Sequence, residues 1–262
     1  TYYYFMKNQY ESILGTDIWK YNKAVKDKSV GQEAIESVLR QIIQVKVIGK
    51  EAAIEKVQLA TDEKEEADYR AKTVFDSIPA KDKQTQGIEL KVLSKIFEEN
   101  KLAQKMYNVQ MGKLKIDYAA NTLSAAKVEL IYQAANAKNK ETVKNTMSRI
   151  LSEVTSSQNS FYTVAKNKTQ ADAIEYVIGN QDSRTNLAKA VVSLKKNQTS
   201  ALIEEKDGFY IAHCIQTNSA ALQQQYRNQL VSEKQTESFQ KIYKTWSDKF
   251  DVKVSKALLA AN

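Results

Sequence analysis

Apolar positions along this chain follow two rhythms, a helical one towards both ends and a strand-like one in the middle. From Gln32 to about Lys50, Ile35, Val38, Leu39, Ile42 and Ile43 recur every three or four residues and share one stripe of a helix, which must pack on something. Thr61 or Asp62 reads as the N-cap of a second helix, with acidic residues in the first turn where the helix dipole favours them. That helix should stop near Ile78-Pro79, and the polar run Lys81-Asp82-Lys83-Gln84 beyond it reads as a connection. A third helix is expected from Ile88 to about Met111, with Val92, Leu93, Ile96, Phe97, Leu102 and Met106 on its apolar side. A fourth is expected from about Ala220 to Lys249 on Leu222, Tyr226, Leu230, Phe239, Ile242, Tyr243 and Trp246. With one proline and seven glycines, tight turns are scarce and long helices should dominate.

In the middle the period shortens. Val128 to Tyr132 is a short β-like run, followed by helical stretches from about Lys140 to Val154 and near Phe161 to Lys166. Ile174 to Ile178 is strand-like, Leu187 to Leu194 helical, and Ser200 to Ile203 and Phe209 to Ile215 strand-like, with Asp207-Gly208 as the turn between the last two. A βααβαββ order in about 90 residues is an α+β domain with a mostly antiparallel sheet. Placed between helical segments, it predicts that the helices before residue 126 and after residue 218 pack together.

Composition narrows the chemistry. The 262 residues suffice for two lobes with real cores, and no window approaches the roughly 20 apolar residues of a membrane span. A net charge of +8 raises the question of a polyanion partner: nucleic acid, anionic lipid or anionic cell-wall polymer. Stretches such as Asp62-Glu63-Lys64-Glu65-Glu66 mix both signs, as a solvated helix face does, and no basic-aromatic reader motif argues for nucleic acid. Cys214 is the sole cysteine and His213 the sole histidine, which excludes an internal disulfide and any site of two imidazoles. As strand neighbours they face opposite ways, so a Cys-His catalytic pair is disfavoured. Walker, dinucleotide, zinc and serine-elbow motifs are absent, and neither cofactor nor metal is expected. The chain opens at Thr1 without a signal-like apolar stretch, so localisation is not read from a targeting sequence.

The stretch from Leu187 through Ser200, then Ala201 to Lys206 and Asp207-Gly208-Phe209-Tyr210-Ile211, resembles the parvulin-type peptidyl-prolyl isomerases. It matches, without a gap, their helix ending in an "SLKPGEIS"-like turn, a strand, and a closing "GYHII" strand. Upstream, Lys127-Val128-Glu129-Leu130-Ile131 is similar to the opening "ARHIL" strand, and Phe161 to Lys166 to an "F-x-x-L-A-K" helix. Tyr10 through Trp19, the Gln32 to Lys50 helix and the aromatic C-terminal helix resemble the chaperone lobe of PrsA/SurA-like foldases, among them foldase lipoproteins of Gram-positive bacteria.

The resemblance implies a helical chaperone lobe made from residues 1–126 and 218–262, with a parvulin-like domain at 127–217 inserted into it. It implies an extracytoplasmic folding helper on the outer face of a Gram-positive cell membrane, binding unfolded or partly folded polypeptides, with membrane attachment only through an upstream lipid anchor. The matching site positions depart from the family. Its two strand histidines appear as Glu129 and Tyr210, the glycines of its "GGDLG" segment are lost with the carboxylate displaced to Asp172, and its proline-pocket phenylalanine appears as Leu187. Isomerisation crosses a barrier of about 20 kcal/mol and requires an apolar pocket plus a few oriented polar groups. A carboxylate and a phenol in place of two imidazoles change donor pattern and pKa, so weak or absent activity is expected. The alternatives are an active isomerase working through Glu129, Tyr210 and Asp172, and a structural docking protein of the cell envelope.

Overall fold

The structure, a computed structural model, describes residues 2–14, 30–119, 122–156 and 160–251. The Gly15 to Trp19 part of the lobe resemblance lies outside them. The chain forms two compact units, with boundaries between residues 115 and 116 and between residues 234 and 235.

The first unit is helical: α1 (Tyr2–Leu14), α2 (Val30–Ile54), α3 (Thr61–Ser77), α4 (Ala80–Thr85) and α5 (Leu90–Gly112). The apolar stripe of α2 serves two clusters. Ala34, Val38 and Ile42 meet Tyr2 of α1, while Ile43, Val47, Ile48 and Ala52 meet Leu102 and Met106 of α5. Helices α3 and α5 pack together, and Lys105–Glu63 and Lys101–Glu66, both 2.5 Å, tie them across the surface. On α3, Ala67 and Ala71 are the buried residues.

Three local features differ from expectation. The N-cap before α3 is Ala60, not Thr61 or Asp62; its N–H donates to Glu63 Oε2 at 2.8 Å, so a side chain three residues on does the capping. Lys81 to Gln84 belong to α4 rather than to a connection, because Pro79 (φ −55) presets the entry angle and buried Ile78 and Ile88 clamp both ends. Val92 is 43% exposed, one residue before the buried Leu93, so the stripe on α5 is narrower than its apolar residues suggest.

The second unit holds β1 (Ala125–Ala134), α6 (Lys140–Ser156), α7 (Phe161–Lys168), β2 (Glu175–Gly179), α8 (Thr185–Ser193), β3 (Ile203–Glu205) and β4 (Gly208–Gln216). This is the expected α+β order, and the strands form one antiparallel sheet in the order β2-β1-β4-β3. One face, with Val128, Leu130, Ile178 and Ala212, is covered by Leu187, Val191 and Leu194 from α8 and the turn after it. The other, with Ile131, Phe209 and Ile211, is covered by Met147 and Ile150 of α6 and Phe161 and Val164 of α7. Along β1, Val128 and Leu130 are buried while Lys127 and Glu129, which flank Val128, are half-buried, and at Leu130-Ile131 the strand is buried on both faces. At the β3–β4 turn, Gly208 has φ +154 and its missing Cβ leaves room for the Gln133 carbonyl, so the hairpin needs a glycine there.

Helix α9 (Ala220–Ser247) serves each unit separately. Its first half closes the second unit. Gln223 Nε2 donates to Leu123 O (3.0 Å), Arg227 Nε to Tyr118 O (3.1 Å), and the Tyr226 hydroxyl accepts from Gln181 N (3.1 Å), while Tyr226 and Leu230 bury Leu123 and Ala125. Its second half carries Phe239, Ile242, Tyr243 and Trp246 onto the α2–α5 cluster of the first. The boundary therefore falls inside α9, whereas the sequence pattern assigns all of 218–262 to the helical lobe.

Candidate functional site

Tyr210 enters the α8 face of the sheet because β4 pairs with β1 in the register that sets Tyr210 opposite Tyr132. Their rings stack at 4.7 Å and 27°. The Tyr210 hydroxyl donates to Asp207 Oδ2 at 2.6 Å, and the Tyr132 hydroxyl to Asp207 O at 3.0 Å. On Tyr210 also lies the Arg184 guanidinium, 5.5 Å from the ring centroid and held by Asp182 through Nε (2.9 Å) and Nη2 (2.7 Å). Burial, then the hydrogen bond with Asp207, pushes the Tyr210 phenol well above its usual range, and burial also raises Tyr132. Asp182 drives the Arg184 guanidinium still further towards its charged form. Both phenol protons are committed within the protein.

Leu187 is 0% exposed and belongs to the same cluster as Tyr210. Glu205 fixes it there: its Oε1 accepts from Asn186 N (2.7 Å) and Leu187 N (3.0 Å) at the start of α8. Leu187 is thus committed to the core of the α8 face and is not exposed to a ligand. Open space lies beyond the β3–β4 turn, in a cavity of about 520 Å³ lined by Asn136, Lys140, Asn186, Glu204, Lys206 and Phe209. Lys140 and Glu204 pair at 2.6 Å at this cavity, so its character is polar.

Glu129 does not join Tyr210. It pairs with His213 on one side and Glu175 on the other, at strand positions that alternate with those of the α8 face. The alternative in which Glu129 works together with Tyr210 has no support in this register, which sets the two on opposite faces of the sheet. Burial, then the nearby Glu175, raises the Glu129 carboxyl, with Lys127 opposing; Lys127 itself pairs with Glu175 at 2.5 Å. His213 stacks on Phe161 (5.3 Å) and shares a 2.9 Å hydrogen bond between Nδ1 and Thr199 Oγ1, and burial lowers its pKa. Cys214 is buried among the α8-face residues, its thiol raised by desolvation, so these neighbours do face apart.

Asp172 is exposed on the 169–174 segment, which runs along β1. Gln170 N donates to Tyr132 O (2.8 Å), Leu130 N to Ile174 O (2.8 Å), and Ala173 N to the Tyr176 hydroxyl (3.0 Å). Of the four residues singled out from the sequence, the structure joins Tyr210 and Leu187, leaves Asp172 in solvent on the neighbouring segment, and puts Glu129 on the other face. Tyr132, Arg184, Asp182 and Asp207 are not found by reading the sequence. Asp207 stands out there only as a turn residue, and the Tyr132–Tyr210 partnership depends on a register between strands 78 positions apart. Among the described residues no group of three or more His, Cys, Asp or Glu side chains is placed to hold a metal ion.

Residues 122–216 match the family model of the Rotamase, or PPIC-type PPIase, domain. Similar solved structures include a foldase protein PrsA from Streptococcus pneumoniae, with 15% identity, covering 87% of this chain and 88% of that one at a TM-score of 0.36. PrsA from Bacillus anthracis shows 15% identity over 83% of this chain and 99% of its own, with a TM-score of 0.44. One of two SurA-like chaperones described from Campylobacter jejuni shows 13% identity over 90% and 92%, with a TM-score of 0.32. No curated protein sequence matches. The family match lies on the βααβαββ sheet of the second unit, so residues 122–216 are similar to the PPIC-type PPIase domain both in the family model and in the order of their elements.

Proposed function

We propose that this chain is an extracytoplasmic folding helper that binds unfolded or partly folded polypeptides, and that its parvulin-type domain is not an effective isomerase. The carrying observation is that the matching site positions are committed elsewhere in the protein. Tyr132 and Tyr210 direct both hydroxyls at Asp207, Leu187 is fully buried, and Glu129 lies on the opposite face. Catalysis of rotation requires selective stabilisation of the twisted X-Pro amide, and both phenol hydroxyls that could donate to it are already committed to Asp207.

In this reading the helical segments supply the client-binding lobe and the parvulin-type domain serves as a second binding module. Among the described residues no helix is long and apolar enough to cross a membrane, and location on the outer face of the cell membrane is part of the proposal. Two assays test it together. Isomerisation of an X-Pro peptide is expected to proceed at the buffer rate even at high protein concentration, while aggregation of a chemically denatured model enzyme is expected to be suppressed near equimolar ratio. Rapid isomerisation would refute the silent-site half, and undiminished aggregation the chaperone half.

A further inference from the structure

Glu51 is the one charged residue among those described that is buried, at 2% exposure. Lys249, just past the end of α9, donates to both its carboxylate oxygens at 3.1 and 3.2 Å, while itself remaining 49% exposed. Just past the end of α2, Glu55 is held by Gln110 (2.9 Å) and Lys113 (2.8 Å), and the Lys113 hydrogen bond, with a small contribution from Lys249, lowers its pKa. Lys50 lies 5.0 Å from the ring centroid of Phe250. Two consecutive residues of α2, Lys50 and Glu51, thus grip two consecutive residues just past α9, Lys249 and Phe250.

A buried carboxylate answered by one half-exposed lysine is an odd choice for a joint that never opens, because an apolar contact of similar size usually holds as well or better. What it adds is sensitivity to this one contact: once Lys249 leaves, the buried Glu51 carboxylate must either take up a proton or reach water by opening the last turn of α2, and either costs stability at this joint. Beneath the gripped segment lies the apolar surface of Ile43, Val47, Ala52 and Met106, covered by Phe239, Ile242, Tyr243 and Trp246. The covering segment presents aliphatic and aromatic residues at helical spacing, so a foreign segment with the same pattern could take its place.

We propose that residues 235–250 form a releasable strap, latched by Glu51 and Lys249, whose opening offers the α2–α5 surface to non-native polypeptide segments with aliphatic and aromatic residues at three- and four-residue spacing. This rests on the folding-helper reading. In hydrogen exchange, Lys249→Met is expected to speed the amides of 239–250 by about tenfold or more while leaving 122–216 unchanged. The doubly apolar Glu51→Leu/Lys249→Met protein should return them to the slow rate, showing that the fold is intact. Lys249→Met should also suppress aggregation of the denatured model enzyme at a lower molar ratio than wild type. A bismaleimide cross-link between Lys50→Cys and Phe250→Cys, with Cys214 buried and unmodified, should raise that ratio several-fold. Wild-type exchange in Lys249→Met, or undiminished holding by the cross-linked protein, would overturn the strap. Failure of wild type to suppress aggregation would instead sink the folding-helper reading, and the exchange result would still decide the latch.

Discussion

Tyr210 is held by a stacked ring, a cation over its own ring and a short hydrogen bond to a carboxylate, and each predicts a different loss. Tyr210→Phe removes the bond to Asp207, whose carboxylate then returns to water, together with the hydroxyl's interaction with Arg184, and is expected to cost about 1–2 kcal/mol in urea unfolding. Tyr210→Ala also empties the cluster around Leu187 and should cost about 3–5 kcal/mol. Glu129→Gln, which removes a like charge facing Glu175, is expected to stay within about 1 kcal/mol of wild type. A loss at Glu129 as large as that at Tyr210→Ala would mean the two side chains act together after all. His213 carries the pH dependence. Its folded pKa lies below the ordinary 6.5, so the unfolded chain binds the proton more readily; its share of stability is present above about pH 6.5 and is lost as pH falls towards the folded value. Glu129, raised above 4.5, works in the reverse sense: the folded state takes up its proton first, so acidification through that region adds stability at this group. Replacing His213 by Leu should flatten the stability profile between about pH 7 and 5, and an unchanged slope would refute the assignment.

At the scale of an element, α9 shows how one amphipathic helix can satisfy two cores. Gly179 at the end of β2 is where its first half lands: a Cβ there would collide with the Tyr226 ring and with the Ser124 carbonyl. Gly179→Ala is expected to destabilise the second unit by about 1–3 kcal/mol, and shortening Tyr226 should not restore it fully, because the backbone carbonyl cannot move aside. Thermal unfolding of the single and double variants checks this. The Tyr226 phenol, pushed up to about 12 chiefly by burial, accepts the Gln181 N–H and stays protonated at any physiological pH, so the docking of this half is not expected to respond to pH.

For the whole molecule the consequence is that residues beyond 217 are part of both bodies. A chain ending at 217 loses Gln223, Tyr226, Arg227 and Leu230 from one unit and Phe239, Trp246 and Lys249 from the other. Hydrogen exchange is expected to show lowered protection throughout 122–216 as well as in α2 and α5. Wild-type protection in 122–216 would show that α9 is dispensable to the parvulin-type domain, whatever its contacts.

Periodicity within a segment is a local property, and it determined α2, α3 and α5 of the first unit, the βααβαββ order and the hairpin at Asp207-Gly208 from the sequence alone. Motif spacing within β3 and β4 was equally local and pointed to the parvulin resemblance. The partner of Tyr210 was not legible, because a slip of one residue between β1 and β4 exchanges the faces of the sheet and nothing in either strand reports the register of the other. The split of α9 was hidden for a related reason: its apolar residues form a continuous pattern, and only packing decides which core each of them enters. Whether the matching site positions are free or committed was likewise a tertiary decision, made by Glu205 at the start of α8 and by Asp207 beneath the two phenols.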